Sequence, residues 1–232
     1  MRRFALLLAP VLLVALPACA SEPEEAGATT LTVLLDHDAT AEQKATAEQI
    51  LRGTPSAGDV TRRTREQAYD QLRKDSPDLA AQVDPTTMPE SLRTTLTDPS
   101  VAEAAELTMV AVDGVASSVL TAAAADPLPS AIGMIVRLEP SITEKQRATV
   151  EETVRALPKA ESVRFEDRDA AYDRLREQCR GKGDLAGRLE TDMTRPSLRL
   201  KLPLAHQGGI NPPEIARMDG VEDVLLVPTA VL

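Results

Sequence analysis

The chain repeats itself, and the repeat limits every fold that it can adopt. Its only tyrosines, Tyr69 and Tyr172, sit in near-copies of one octapeptide, Gln67 to Lys74 and Ala170 to Glu177. Tyr172 follows Tyr69 by 103 residues, and the same step places Val33 on Val136, Leu35 on Leu138, Thr40 on Thr143, Gln43 on Gln146 and Pro55 on Pro158. Beyond the tyrosines the step becomes 106. Asp78-Leu79 then meets Asp184-Leu185, Ser91-Leu92-Arg93 meets Ser197-Leu198-Arg199, and Asp113-Gly114-Val115 meets Asp219-Gly220-Val221. A small insertion around Cys179 to Gly183 explains the change of step.

Each copy opens with an alternating strand, Leu31 to Leu35 or Met134 to Leu138, in which Arg137 points away from the apolar side. Thr40 with Gln43, and Thr143 with Gln146, fit the capping box that starts a helix. Pro55 and Pro158 end those helices. A short strand around Val60 or Val163 leads to the tyrosine helix. There Ala68, Tyr69 and Leu72, or Ala171, Tyr172 and Leu175, form an apolar stripe that predicts packing roles for both rings. Cys179 continues the second stripe and reads as a partly buried, unreactive thiol. Smaller helical pieces are expected at Asp78 to Val83 and Asp184 to Leu189.

The third strand alternates too. Leu92, Thr94 and Leu96, or Leu198, Leu200 and Leu202, face one way. Arg93, Thr95, Arg199 and Lys201 face the other, which predicts a solvated side. A third helix is expected through Met109 to Val112, and after an Asn211 cap and Pro212 in the second copy with Ile215 and Met218 buried. Gly114 and Gly220 read as left-handed helix ends. The last strands are Val115 to Leu120 and Val221 to Val227. The expected fold class is α+β, with two tandem ferredoxin-like (βαββαβ) sandwiches, each carrying a helical insert between its second and third strands. The domains are 31–120 and 133–232, with a linker at 121–132.

The N-terminus reads as an export leader. Met1-Arg2-Arg3 is basic, Phe4 to Leu16 is apolar but short for a span, and Leu16-Pro17-Ala18-Cys19 places a cysteine after a small residue. This resembles the bacterial lipobox. The reading is a lipoprotein signal over 1–18, lipidation at Cys19 and a flexible tether over 19–30. No second apolar run of spanning length follows, so the mature protein is expected at the outer face of the bacterial cytoplasmic membrane, held by its lipid. The net charge of −10 argues against nucleic acid as a partner.

Catalytic material is scarce. The histidines, His37 and His206, do not occupy matching positions. Asp36-His37-Asp38 could ligate a metal only if three adjacent side chains converged, and the second copy has Glu139-Pro140-Ser141 there. Ser91 and Ser197 lack a nucleophile elbow. No catalytic, cofactor or metal residue is assigned.

Read together, Val60, Ala68-Tyr69, Leu72, Pro77-Asp78-Leu79, Pro89-Glu90-Ser91-Leu92 and Gly220-Val221-Glu222-Asp223-Val224 keep an order that resembles the extracellular domain of the FtsX cell-division permease. The second copy keeps most of it, with Arg195-Pro196-Ser197 in place of Pro89-Glu90-Ser91. The resemblance implies an α/β lobe with a helical lobe, no enzymatic activity, and a partner such as a peptidoglycan hydrolase or its activator. The chain departs from that family in having no permease helices and no aromatic cluster in the helical lobe, so no partner-contact residue carries over. The alternatives are an envelope enzyme and a small-ligand sensor on a ferredoxin-like sheet.

Overall fold

A computed structural model describes residues 27–123, 129–203 and 211–232. The segment expected to be a leader and Cys19 lie outside them, as does His206.

The first copy runs β1 (Thr29–Leu35), α1 (Ala41–Arg52), β2 (Thr61–Arg63), α2 (Arg65–Asp75), α3 (Pro77–Ala80), β3 (Ser91–Leu96), α4 (Ala102–Val110) and β4 (Val115–Ala122). The second runs β5 (Ala131–Leu138), α5 (Glu144–Arg155), β6 (Glu161–Glu166), α6 (Arg168–Gln178), α7 (Leu185–Arg188), β7 (Ser197–Pro203), α8 (Pro212–Ile215) and β8 (Val221–Val227). Both expected capping boxes are present. Gln43 N–H donates to Thr40 Oγ1 at 3.2 Å while Thr40 N–H donates to Gln43 Oε1 at 2.8 Å. Thr143 and Gln146 repeat the exchange at 3.3 and 3.0 Å. A third box, Thr64 with Gln67, starts α2. Asn211, in contrast, makes no side-chain cap at α8.

The glycines before β4 and β8 are needed twice over. Gly114 and Gly220 have φ of 85° and 84°, and a Cβ at either would come within 2.8 Å of Gln43 or Ile142 at the start of the neighbouring helix. The turn therefore tolerates neither the backbone nor the bulk of another residue.

All eight strands form one sheet, in the order β2-β3-β1-β4-β8-β5-β7-β6. This corrects the expectation of two separate sandwiches. Each half keeps the strand order of a split βαβ unit, but the halves join edge to edge. β4 and β8 pair in parallel at Thr121 and Leu226, whereas every other neighbour is antiparallel. β4 and β5 run into the segment read as a linker.

A parallel join has a geometric consequence. Two like halves whose edge strands run the same way are related by rotation about the strand direction, and that rotation exchanges the faces of the sheet. The helical layer of one copy is then level with the bare side of the other. The cores show it. Leu31, Val33, Leu35, Leu92, Leu96 and Leu120 cluster with Ile135, Leu225 and Val227, which lie on the second copy's supposedly bare side. Met134, Val136, Leu138, Leu198, Leu200 and Leu202 form a separate core with Val150 and Val154 of α5.

Candidate interaction surface

The two equivalent bare sides have opposite fates. In the second copy, α4 of the first lies over that side. All residues of α4 from Ala102 to Met109 are buried, two glutamates included. From above, α6 and α7 add Leu175, Cys179, Leu185 and Leu189 to the first copy's core. The two copies thus interlock.

Burying Glu103 and Glu106 requires cations, and β5, β7 and α6 provide them. Arg137 makes a two-pronged pair with Glu106, with one contact from Nη1 to Oε1 at 3.1 Å. It also reaches Asp223 on β8 at 3.3 Å. Ser118 Oγ donates to Glu106 Oε1 at 3.1 Å. Arg199 donates to Glu103 at 2.9 Å and to the Val231 carbonyl at 2.7 Å. Arg174 bridges Glu103 at 3.0 Å and Glu166 at 2.7 Å. Arg199 is 3 % exposed, so the expectation of a solvated side fails for this copy.

Burial would raise the Glu103 carboxyl, but Arg199, Arg174 and Arg137 outweigh it and hold it below its ordinary 4.5. For Glu106 the balance reverses, and burial pushes it up against the pull of Arg137. Burial likewise raises Asp223. The sign for Glu103 follows. Its folded value is below its unfolded one, so its stabilisation is present above 4.5 and is lost as pH falls through the lower folded value. Glu103→Gln is therefore expected to destabilise the protein more at pH 7 than at pH 3.5. Urea melts at the two pH values test this, and an equal or larger loss in acid would refute the assignment.

In the first copy the same side is open. Arg93 and Thr95 are exposed, as expected, and Val119 is 40 % exposed beside them. Between these strands and α2 lies a groove of about 530 Å³, lined by Arg62, Arg63, Lys74 and Arg93 against the single acid Asp70. Three net positive charges on a chain of charge −10 make this a local reversal of sign. Arg62 is engaged by Glu90 at 2.5 Å, and Glu90 also takes Lys44 at 2.5 Å. A second groove, of about 560 Å³, follows the seam between α1 and the second insert, from Ile50 and Pro55 to Leu185 and Arg188.

The inserts differ accordingly. Tyr172 packs on the shared core, with the Arg176 guanidinium 5.5 Å from its ring. Tyr69 instead donates to the Ala80 carbonyl at 3.3 Å, inside its own insert, and α2 buries only Ala68. The apolar stripe is thus a core contact in one copy and a contact within the insert in the other.

The remaining sequence candidates do not converge. Cys179 is fully buried, beyond the partial burial expected, and desolvation raises its thiol. His37 is exposed, and its carbonyl accepts from Arg65. Ser91 is half-buried, whereas Ser197 is buried with no partner for its Oγ. Among the described residues, no three His, Cys, Asp or Glu side chains are grouped to hold a metal. No helix there is long and apolar enough to cross a membrane.

A family model for the FtsX extracellular domain matches the chain twice, over residues 28–132 and 131–228. No curated protein matches it.

Proposed function

We propose a function on the premise that the chain belongs to the FtsX extracellular domain family. It is a non-enzymatic binding module of the bacterial envelope, with two ferredoxin-like halves, and it engages a protein of cell division or peptidoglycan remodelling. Lipidation at Cys19 holds it to the outer face of the cytoplasmic membrane, and the segment between Cys19 and β1, which takes up Thr29 and Thr30 of the expected tether, links the lipid to the folded body. The paired family match carries the reading. The open basic sheet face supports it, since Arg93 stands exposed there on an otherwise acidic chain.

Chemical crosslinking of the full chain in intact cells tests both parts. The native chain is expected in the membrane fraction and bound to an envelope protein, and Cys19→Ser is expected to leave that fraction. A Cys19→Ser protein as firmly membrane-bound as the native one would remove the anchor. Peptidoglycan cleavage by the purified chain, lost on one substitution, would replace the binding module by an enzyme.

A further inference from the structure

The molecule contains its own example of what covers such a sheet face. In the second copy the covering element is α4, which is rich in alanine and sets Glu103 and Glu106 one turn apart. Those carboxylates meet Arg199 of β7 and Arg137 of β5. Ile135 and Leu225 pack in the same cluster as Ala102 and Ala105. In the first copy, Arg93 holds the Arg199 position, since it pairs with Thr32 as Arg199 pairs with Ile135. Val119 holds the position of Leu225.

Among the described residues, nothing from the second copy covers the first as α4 covers the second. The second copy's counterpart of α4 is α8, only four residues long, with Pro212 where α4 has Glu106. At the position of Glu103 the sequence has Gly209. Both acids of the covering helix are gone. Of the two sheet arginines they meet in the second copy, one has a counterpart in the first, the exposed Arg93, while Leu34 stands at the position of Arg137 and Arg63 lies beside Arg93 on β2.

From this, and resting on the binding role proposed above, we propose that the open face of the first copy docks one helix of an envelope protein. That helix carries two carboxylates one turn apart among small residues. The carboxylates meet Arg93 and Arg63, while the small residues settle on Val119 and Thr32. Charge complementarity selects the partner, and the groove beside α2 provides its seat. A planar guanidinium binds a carboxylate with two parallel hydrogen bonds, so arginines suit this role better than lysines.

A photoreactive phenylalanine analogue at Val119 of the full chain tests it in cells of the native host, with the same analogue at Val110 as a second position. Val110 is 47 % exposed at the end of α4. Mass spectrometry is expected to find Val119 joined to an acidic helical segment, with the yield cut at least about tenfold by Arg93→Glu. Thr95→Glu, an independent charge on the same face, is expected to act alike, and both variants should melt as the native protein does. Capture from Val110 alone would overturn the surface and leave the binding role standing. Capture from neither position, with no partner found by general crosslinking, would overturn the binding role itself. A Val119 product on a segment without paired acids would overturn the stated chemistry. So would Arg93-dependent binding to phosphatidylglycerol vesicles without any protein product, which would assign the face to lipid.

Discussion

Residues 27–123, expressed alone, are expected to lack a cooperative unfolding transition. Their core takes Leu175, Leu185 and Leu189 from the second copy. Three such leucines at about 2 kcal/mol each already match the lower end of a domain's whole stability, about 5 kcal/mol. The loss does not stop there. Without the second copy, α4 would show water an apolar surface from Ala102 to Met109, and Glu103 and Glu106 would lose every arginine that pairs with them. β4 would also become a bare edge, open to pairing with other chains. Circular dichroism during a urea titration should show a shallow, non-cooperative change, and sedimentation should show self-association. Adding residues 129–232 in trans should restore one sharp transition, because the missing side chains return with that fragment. A monomeric fragment with the full chain's midpoint would mean that the copies are independent domains.

This interdependence shows which parts of the fold were legible in the sequence. Local chemistry was. A Thr–Gln pair caps a helix wherever it falls, and a left-handed glycine ends one, so Thr40, Thr143, Gly114 and Gly220 could be placed without knowledge of the whole. The join between the sheets was not. It rests on backbone pairing between β4 and β8, which leaves no side-chain pattern, and Thr121 and Leu226 are far apart in the chain. The helix expected through Met109 to Val112 overlaps α4 only at Met109 and Val110, for a related reason. Alternation and amphipathic stripes mark elements with one wet face, and α4 has none from Ala102 to Met109, where every residue is buried. One signal was available. Leu34 of the first copy is replaced by Arg137 in the second, while Glu106 is replaced by Pro212. Unmatched charges of opposite sign in two copies, each at a position read as strand or helix, point to a pair made between the copies.

The same pair yields the largest single-residue effect. Arg137→Ala is expected to destabilise the protein by about 3–5 kcal/mol at neutral pH, the range for removing one partner of a buried ion pair. Arg137 is 5 % exposed and Glu106 is 2 % exposed, so no water can replace the guanidinium without opening the junction. Ser118 would remain as the one side-chain donor to Glu106, too little for a buried carboxylate. Arg137→Lys should recover only part of the loss, since an ammonium cannot make both prongs. Replacing both partners, as Arg137→Met with Glu106→Leu, should come within about 1–2 kcal/mol of the native protein, because the cost lies in the orphaned charge. The pH dependence distinguishes this from a simple cavity. In the Arg137→Ala protein, burial without the guanidinium would raise the folded-state value of Glu106 further above its unfolded one. Folding would then take up a proton, and the penalty would grow as pH rises above the unfolded value. The variant should therefore lose less stability at pH 5 than at pH 8, whereas a cavity would cost the same at both. Urea melts of the three variants at those two pH values decide it. A loss below about 1 kcal/mol for Arg137→Ala, or a pH-independent one, would show that the arginine is not what holds Glu106 between the two copies.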